Sequence, residues 1–249
     1  MTAGYREGHR DDNPFIRVLR GDSPVVLSAP HGGWEIPEVL RPFADPEEKI
    51  DLHTDLLLEE VAAECEARGF AASGVVALFA RGVLDLNWGR ERTRGVPELE
   101  ELFDAYYRAL HRVADAAVER HGFALVLDIH GYDDGGGSGG RHPFPPDTLV
   151  FGTRRGELVP GWLRPAYDAF RKSLQASGFP LFPAEGFNEY TPFVGGSVVD
   201  SFRGRRNVAA VMLEIPRGIR LDARKRNALA SAMALALAAA IGAGGSMIG

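Results

Sequence analysis

Phe123-Ala124-Leu125-Val126-Leu127-Asp128-Ile129-His130 is the stretch whose reading decides the fold. Its apolar residues run on without the alternation of a half-exposed strand. That predicts a central strand over 123–129, buried on both faces, as strands of parallel sheets are. A long helical pattern precedes it, Glu98 to His121. Leu102, Tyr106, Leu110 and Val113 share one face, and Gly122 stops the helix. Further out, Val25–Ala29 between Pro24 and Pro30 reads as a second buried strand, and Leu56–Arg68 as a helix with Leu57, Val61 and Cys65 inward. Val75–Phe79, Gly82–Leu86, Thr148–Phe151 and Val208–Ile215 read as strands. Pro160–Ser177 and Asp222–Ala240 read as helices. Strands and helices alternate from end to end. This predicts an α/β chain, a three-layer αβα sandwich on a mixed, mostly parallel central sheet. No repeat and no Ser/Gly linker divides it, so residues 1–249 are expected to form one domain, with 1–20 and 242–249 peripheral.

Composition narrows the function. Among 249 residues, 45% are hydrophobic and 25% charged, and the net charge is −6. That is globular composition, and an acidic balance without basic blocks argues against nucleic acid or a membrane surface as partner. Cys65 is the single cysteine, so no intrachain disulfide can form and the cytoplasm is the expected compartment. The N-terminal residues carry no apolar signal core. The alanine-rich stretch 228–243 falls short of a membrane span and reads as a core helix. Gly (30) and Pro (16) are in excess. They gather around His31, around His130 and in the run 135–140.

In α/β sheets ligands bind beyond the carboxyl ends of the strands. The polar residues at those ends are His31, Asp85, Asn87, Asp128, His130 and Glu214. His31 and His130 sit at equivalent strand ends, each followed by a glycine that permits close approach. Asp128, two before His130, lies on the same face of its strand and can hold that imidazole. A hydrolytic zinc site takes three protein ligands and leaves a position open. For the third, Asp51-Leu52-His53-Thr54-Asp55 offers three candidates and Glu35 a fourth. Glu214 stands in the apolar run Val211-Met212-Leu213-Glu214-Ile215. Burial there raises a carboxyl pKa and suits it to general-base work. Gly135-x-Gly137-x-x-Gly140 matches a dinucleotide fingerprint in letters only, because Pro143, Pro145 and Pro146 follow where a helix must start. Asp51-x-His53 and Asp128-x-His130 look like two-metal phosphoesterase openings, but the runs that class also needs are absent.

In order and spacing these residues resemble the N-formylglutamate amidohydrolase family. The carriers are Ser28-Ala29-Pro30-His31-Gly32-Gly33, Thr54-Asp55 heading a helix, Arg81-x-x-x-Asp85-Leu86-Asn87, Asp128-x-His130, the turn Gly195-Gly196 and the strand Val211–Glu214. The resemblance implies a fold related to zinc carboxypeptidases and aspartoacylases, one zinc per chain, and hydrolysis of an amide beside a carboxylate. It implies His31, His130 and Asp55 as zinc ligands, with Glu35 the alternative to Asp55. Glu214 is then the general base, and Arg81 the group that polarises or anchors the substrate. Asn87, Gly195 and Gly196 are expected at the substrate. Two departures stand out. Trp88 occupies the place of the family's arginine, for which Arg90, or Arg92 from the same loop, is the expected replacement, and Gly131 stands where serine is usual. The expected reaction is N-formyl-L-glutamate to formate and glutamate. The alternatives are another N-acyl amino acid or a γ-glutamyl peptide and, more distantly, a phosphoester.

Overall fold

The computed structural model describes residues 13–45, 50–133, 144–187 and 193–246. The glycine-rich run 135–140 lies outside them. Seven strands form one sheet: β1 (Ile16–Leu19), β2 (Val25–Ala29), β3 (Ser73–Ala77), β4 (Ala124–Tyr132), β5 (Leu149–Gly152), β6 (Leu181–Phe182) and β7 (Val208–Pro216). Their order across the sheet is β1-β3-β2-β4-β7-β5-β6. The central four, β3-β2-β4-β7, are parallel, while β1 and β5 join them antiparallel. The helices are α1 (Thr54–Ala67), α2 (Pro97–His121), α3 (Arg164–Ala176), α4 (Ser197–Asp200), α5 (Arg217–Leu221) and α6 (Ala223–Gly245).

Strand alternation sorts the core into two layers. Leu125, Leu127 and Ile129 of β4 and Ala209, Val211 and Leu213 of β7 pack with α1, α3 and α6. Ala124 and Val126 of β4 and Val208, Ala210 and Met212 of β7 pack with α2. Asp128, His130 and Glu214 continue this second set, so their side chains project on the α2 side. Each buried leucine or valine contributes about 1.5–3 kcal/mol, which is why both layers read so clearly in sequence. The small alanines of α6 let it pack closely on both α1 and α3. The helix is longer than the stretch 228–243, and by length and composition alone α6 could cross a membrane, but it packs as the core helix expected from sequence. Half of that apolar window is buried within the protein, with Leu229, Met233 and Leu237 in the core.

The chain leaves β2 through α1 to reach β3 on one side, then returns through α2 to β4 on the other. The carboxyl ends of β2 and β4 therefore flank a switch point, the usual place for a ligand crevice.

Three expectations change. Residues 82–86 form turns rather than a strand: Val83 N bonds Ala80 O, and Arg81 folds back onto Asp85 four residues on. Their apolar residues Val83, Leu84 and Leu86 are buried all the same. Residues 16–19, expected to be peripheral, form β1, because Ile16 and Val18 cover the edge of the second layer. At the other end α6 runs on to Gly245, where the Gly244 backbone packs against Phe123.

Candidate metal centre

His31 follows β2, His130 lies in β4, and Asp51 sits between β2 and α1. Asp51 N donates to His31 O at 3.1 Å, and Gly131 N donates to Asp51 Oδ2 at 3.1 Å. Two backbone bonds thus fix the Asp51 carboxylate between the two strand ends. Asp51 Oδ2 lies 3.4 Å from His31 Nδ1 and 3.5 Å from His130 Nδ1. The imidazoles meet edge-on, with ring centres 4.9 Å apart.

The opposite nitrogen of each ring faces a second carboxylate. His31 Nε2 is 2.8 Å from Asp85 Oδ1, and His130 Nε2 is 2.8 Å from Asp128 Oδ2. A carboxylate there favours a proton on Nε2 and leaves Nδ1 facing Asp51, the nitrogen that would ligate a metal. Asp128 is itself held. Ser28 Oγ donates to Asp128 Oδ1 at 2.6 Å, and Tyr106 Oη lies 2.7 Å from Ser28 Oγ. Arg81 braces the other side, with Nε donating to Asp85 Oδ2 at 2.9 Å and Nη1 reaching Asp51 Oδ1 at 3.4 Å.

His31, Asp51 and His130 form a compact, fully buried donor group able to hold a metal ion. Two tests of the fit use the side chains alone. Among the described residues, the buried His31 Nδ1 lacks an aligned hydrogen bond, the state of a nitrogen open to another partner, while Nε2 faces Asp85. Donors about 2.0–2.1 Å from one tetrahedral ion sit about 3.3 Å from each other, close to the two distances from Asp51.

Electrostatics agree with the geometry. Burial alone would raise the Asp51 carboxyl, but hydrogen bonds and charge from His130 and His31 outweigh it and hold the group far below the usual carboxylate range. Asp85 is likewise depressed: His31 and Arg81 overcome its burial. Burial would lower His130, yet Asp128 foremost, with Asp51 and Glu214, pushes it well above an ordinary imidazole.

Glu214 is the partner of His130 across the β4–β7 ladder. Burial pushes its carboxyl from 4.5 up to about 7, and its Oε2 has no hydrogen-bond partner among the described residues. Asn87 N donates to Asp85 Oδ1 at 2.8 Å, the same oxygen that faces His31 Nε2. Gly196 packs against the Asn87 carboxamide so tightly that a Cβ there would lie 1.6 Å from Asn87 Oδ1, and Ser197 N donates to Asn87 O at 3.3 Å.

The structure redraws part of the expected site. Asp51, not Asp55, stands with the two histidines. Asp55 lies one turn further on, half-exposed in α1, beyond the turn that Thr54 makes back to Asp51 O. Glu35 is exposed, its backbone pairs with Phe79 beyond β3, and it is not part of the buried group of His31, Asp51 and His130. Arg90 is drawn to the α2 acids Asp104 and Glu100 rather than toward the histidines. Trp88 is half-exposed beneath the Arg92 guanidinium, 4.4 Å away.

A sequence model of the family described as N-formylglutamate amidohydrolase matches residues 23–98 and 90–219. The chain belongs to the N-formylglutamate amidohydrolase family. Among solved structures, an N-formylglutamate amidohydrolase from Ralstonia eutropha JMP134 superposes with a TM-score of 0.67 at 19% identity, over 92% of this chain and 98% of that one. The gene product Atu2144 from Agrobacterium tumefaciens gives 0.64 at 16% identity, over 91% and 94%. A putative carboxypeptidase from Burkholderia mallei ATCC 23344 gives 0.52 at 16% identity, over 92% of this chain and 60% of that one. At such identities the likeness is one of fold, and it matches the carboxypeptidase-like architecture expected from sequence. No curated protein sequence matches the chain. With its family, the protein is a hydrolase.

Proposed function

We propose that this family member is a zinc-dependent amidohydrolase whose substrate is N-formyl-L-glutamate, with formate and glutamate as products. The observation that carries the reading is Glu214, a buried carboxyl raised to about 7 and unpartnered at Oε2, in register with a histidine of the His31–Asp51–His130 group.

When bound, zinc supplies Lewis acidity that polarises a carbonyl and acidifies water. His31 and His130 would hold it through Nδ1 and Asp51 through a carboxylate oxygen. Asp85 and Asp128 keep both rings oriented. Glu214 takes the proton of the attacking water. As the carbon–oxygen bond forms and the carbon–nitrogen bond breaks, it returns that proton to the departing nitrogen. A group near 7 is suited to both steps at neutral pH. Arg81 stands at the edge of the group and offers guanidinium donors to a developing oxyanion. Asn87 and the Gly195–Gly196 turn shape the wall that receives the amino-acid part. The free, buried thiol of Cys65 accords with a reducing compartment such as the cytoplasm.

A second reading, an N-acyl amino acid with a larger apolar group, draws on the half-exposed Trp88 and on the capture of Arg90 by α2. Formate and amine release from a panel of N-formyl and N-acetyl amino acids decides between them. The first reading expects N-formyl-L-glutamate to have the highest kcat/KM. Preference for an aromatic or aliphatic N-acyl amino acid replaces it with the second, and inertness toward every amide overturns both.

A further inference from the structure

Arg220, in the short helix α5 behind the metal centre, is buried at 4% exposure. A buried guanidinium is expensive unless its donors are met. Here three carbonyls from three separate segments meet them. Nε donates to Ile215 O at 3.1 Å, Nη2 to Tyr132 O at 3.3 Å, and Nη1 to Leu52 O.

The addresses of those carbonyls give the arrangement its meaning. Leu52 follows Asp51. Ile215 follows Glu214. Tyr132 is two residues past His130. The plane of the guanidinium lies on Gly131, where a Cβ would come within 2.2 Å of Cζ and 2.3 Å of Nε. Gly131 in turn gives its N–H to Asp51 Oδ2. One planar fork, with its donors at fixed angles, therefore ties the loop of Asp51 to the ends of β4 and β7. The backbone of Arg220 is anchored as well: its carbonyl accepts from Arg226 Nη1 at 2.9 Å, and Arg226 is clamped by Glu60.

We infer that Arg220 is a positioning residue that holds Asp51, His130 and Glu214 in mutual register, and that residue 131 is glycine because the guanidinium needs the space. The inference rests on the reading of His31, Asp51 and His130 as the metal group. A free arginine end could swing away from an added methyl at 131. This one is fixed by three carbonyls, so the methyl would displace either the fork or the β4 backbone that carries His130.

The test uses metal-stripped full-length protein: wild type, Arg220→Met, Arg220→Lys, Gly131→Ala, and the Gly131→Ala/Arg220→Met double variant. Zinc affinity is read by competition with a chromophoric chelator, site geometry by the visible spectrum of added cobalt(II), and folding by thermal melting without metal. Arg220→Met and Gly131→Ala should each weaken zinc binding by about 10–100-fold, the range for residues that orient metal ligands, and alter the cobalt spectrum. Lysine, which keeps the charge without the planar fork, should recover only part. The double variant should bind no more weakly than Arg220→Met, because the added methyl then meets no guanidinium. Wild-type affinity in Arg220→Met, or losses that multiply in the double variant, overturns the inference. If Arg220→Met does not fold, Gly131→Ala decides: an unchanged affinity and spectrum count against the inference, and a loss in a protein that melts like wild type supports it. If wild type binds no zinc, the metal reading itself falls and the inference with it.

Discussion

Replacing Glu214 with glutamine removes a charge from a buried position, and the structure fixes how the consequence depends on pH. Burial moves the carboxyl from 4.5 to about 7. At about 1.36 kcal/mol per tenfold, holding it ionised in the folded protein costs about 3 kcal/mol. The stability is fully present below about pH 4.5, where the carboxyl is neutral in the folded and unfolded chain alike. It is lost progressively as pH rises toward 7, because the unfolded chain ionises first, and the loss levels off above that. Glutamine stays neutral throughout. Whatever constant offset the amide brings, metal-free Glu214→Gln should gain on wild type by about 2.5 kcal/mol between pH 5 and pH 8. For 249 residues, an unfolding entropy of roughly 0.5 kcal/mol/K converts that to about 5 °C in relative Tm. Melting curves of EDTA-treated wild type and variant at pH 5, 6, 7 and 8 give the result directly. A Tm difference that stays flat across this range refutes the buried carboxyl with its raised pKa. The stabilised variant should also lose turnover by about 10²–10⁴-fold, as the loss of a general base requires.

Asp128→Asn keeps the shape of the group that faces His130 Nε2 but removes its charge. Zinc affinity should fall by about 10–100-fold, measured by chelator competition, with smaller losses from Ser28→Ala, which frees one of the Asp128 oxygens. Cys65 is buried with its thiol pushed up to about 12 by that burial. It should resist a disulfide reagent at pH 8 in native protein and react fully in denaturant.

The sequence shows what burial alone determines. Residues 123–129 read as a central strand because both faces are covered, so no alternation breaks the apolar run. Glu214 stood out because an acid in an apolar strand needs a reason. Parity along β4 placed Asp128 beside His130 before any distance was known. Other features depend on contacts between distant segments. Val83, Leu84 and Leu86 look like a strand because they are buried, but they are buried in turns that the Arg81–Asp85 pair closes. β1 and β6 are too short, and too near the sheet edges, to leave a pattern of their own. Asp51 and Asp55 look alike in sequence. Only the backbone bonds from Asp51 to His31 and from Gly131 to Asp51 separate them. Arg220 is an ordinary letter in a basic stretch until the three carbonyls around it are seen.

Metal content after dialysis against zinc tests the central claim most directly, with wild type, Asp51→Ala and Asp55→Ala measured side by side by elemental analysis. One zinc per chain in wild type and in Asp55→Ala, with little or none in Asp51→Ala, is the result expected of a centre built from His31, Asp51 and His130. A full equivalent retained by Asp51→Ala, or its loss in Asp55→Ala alone, would contradict it.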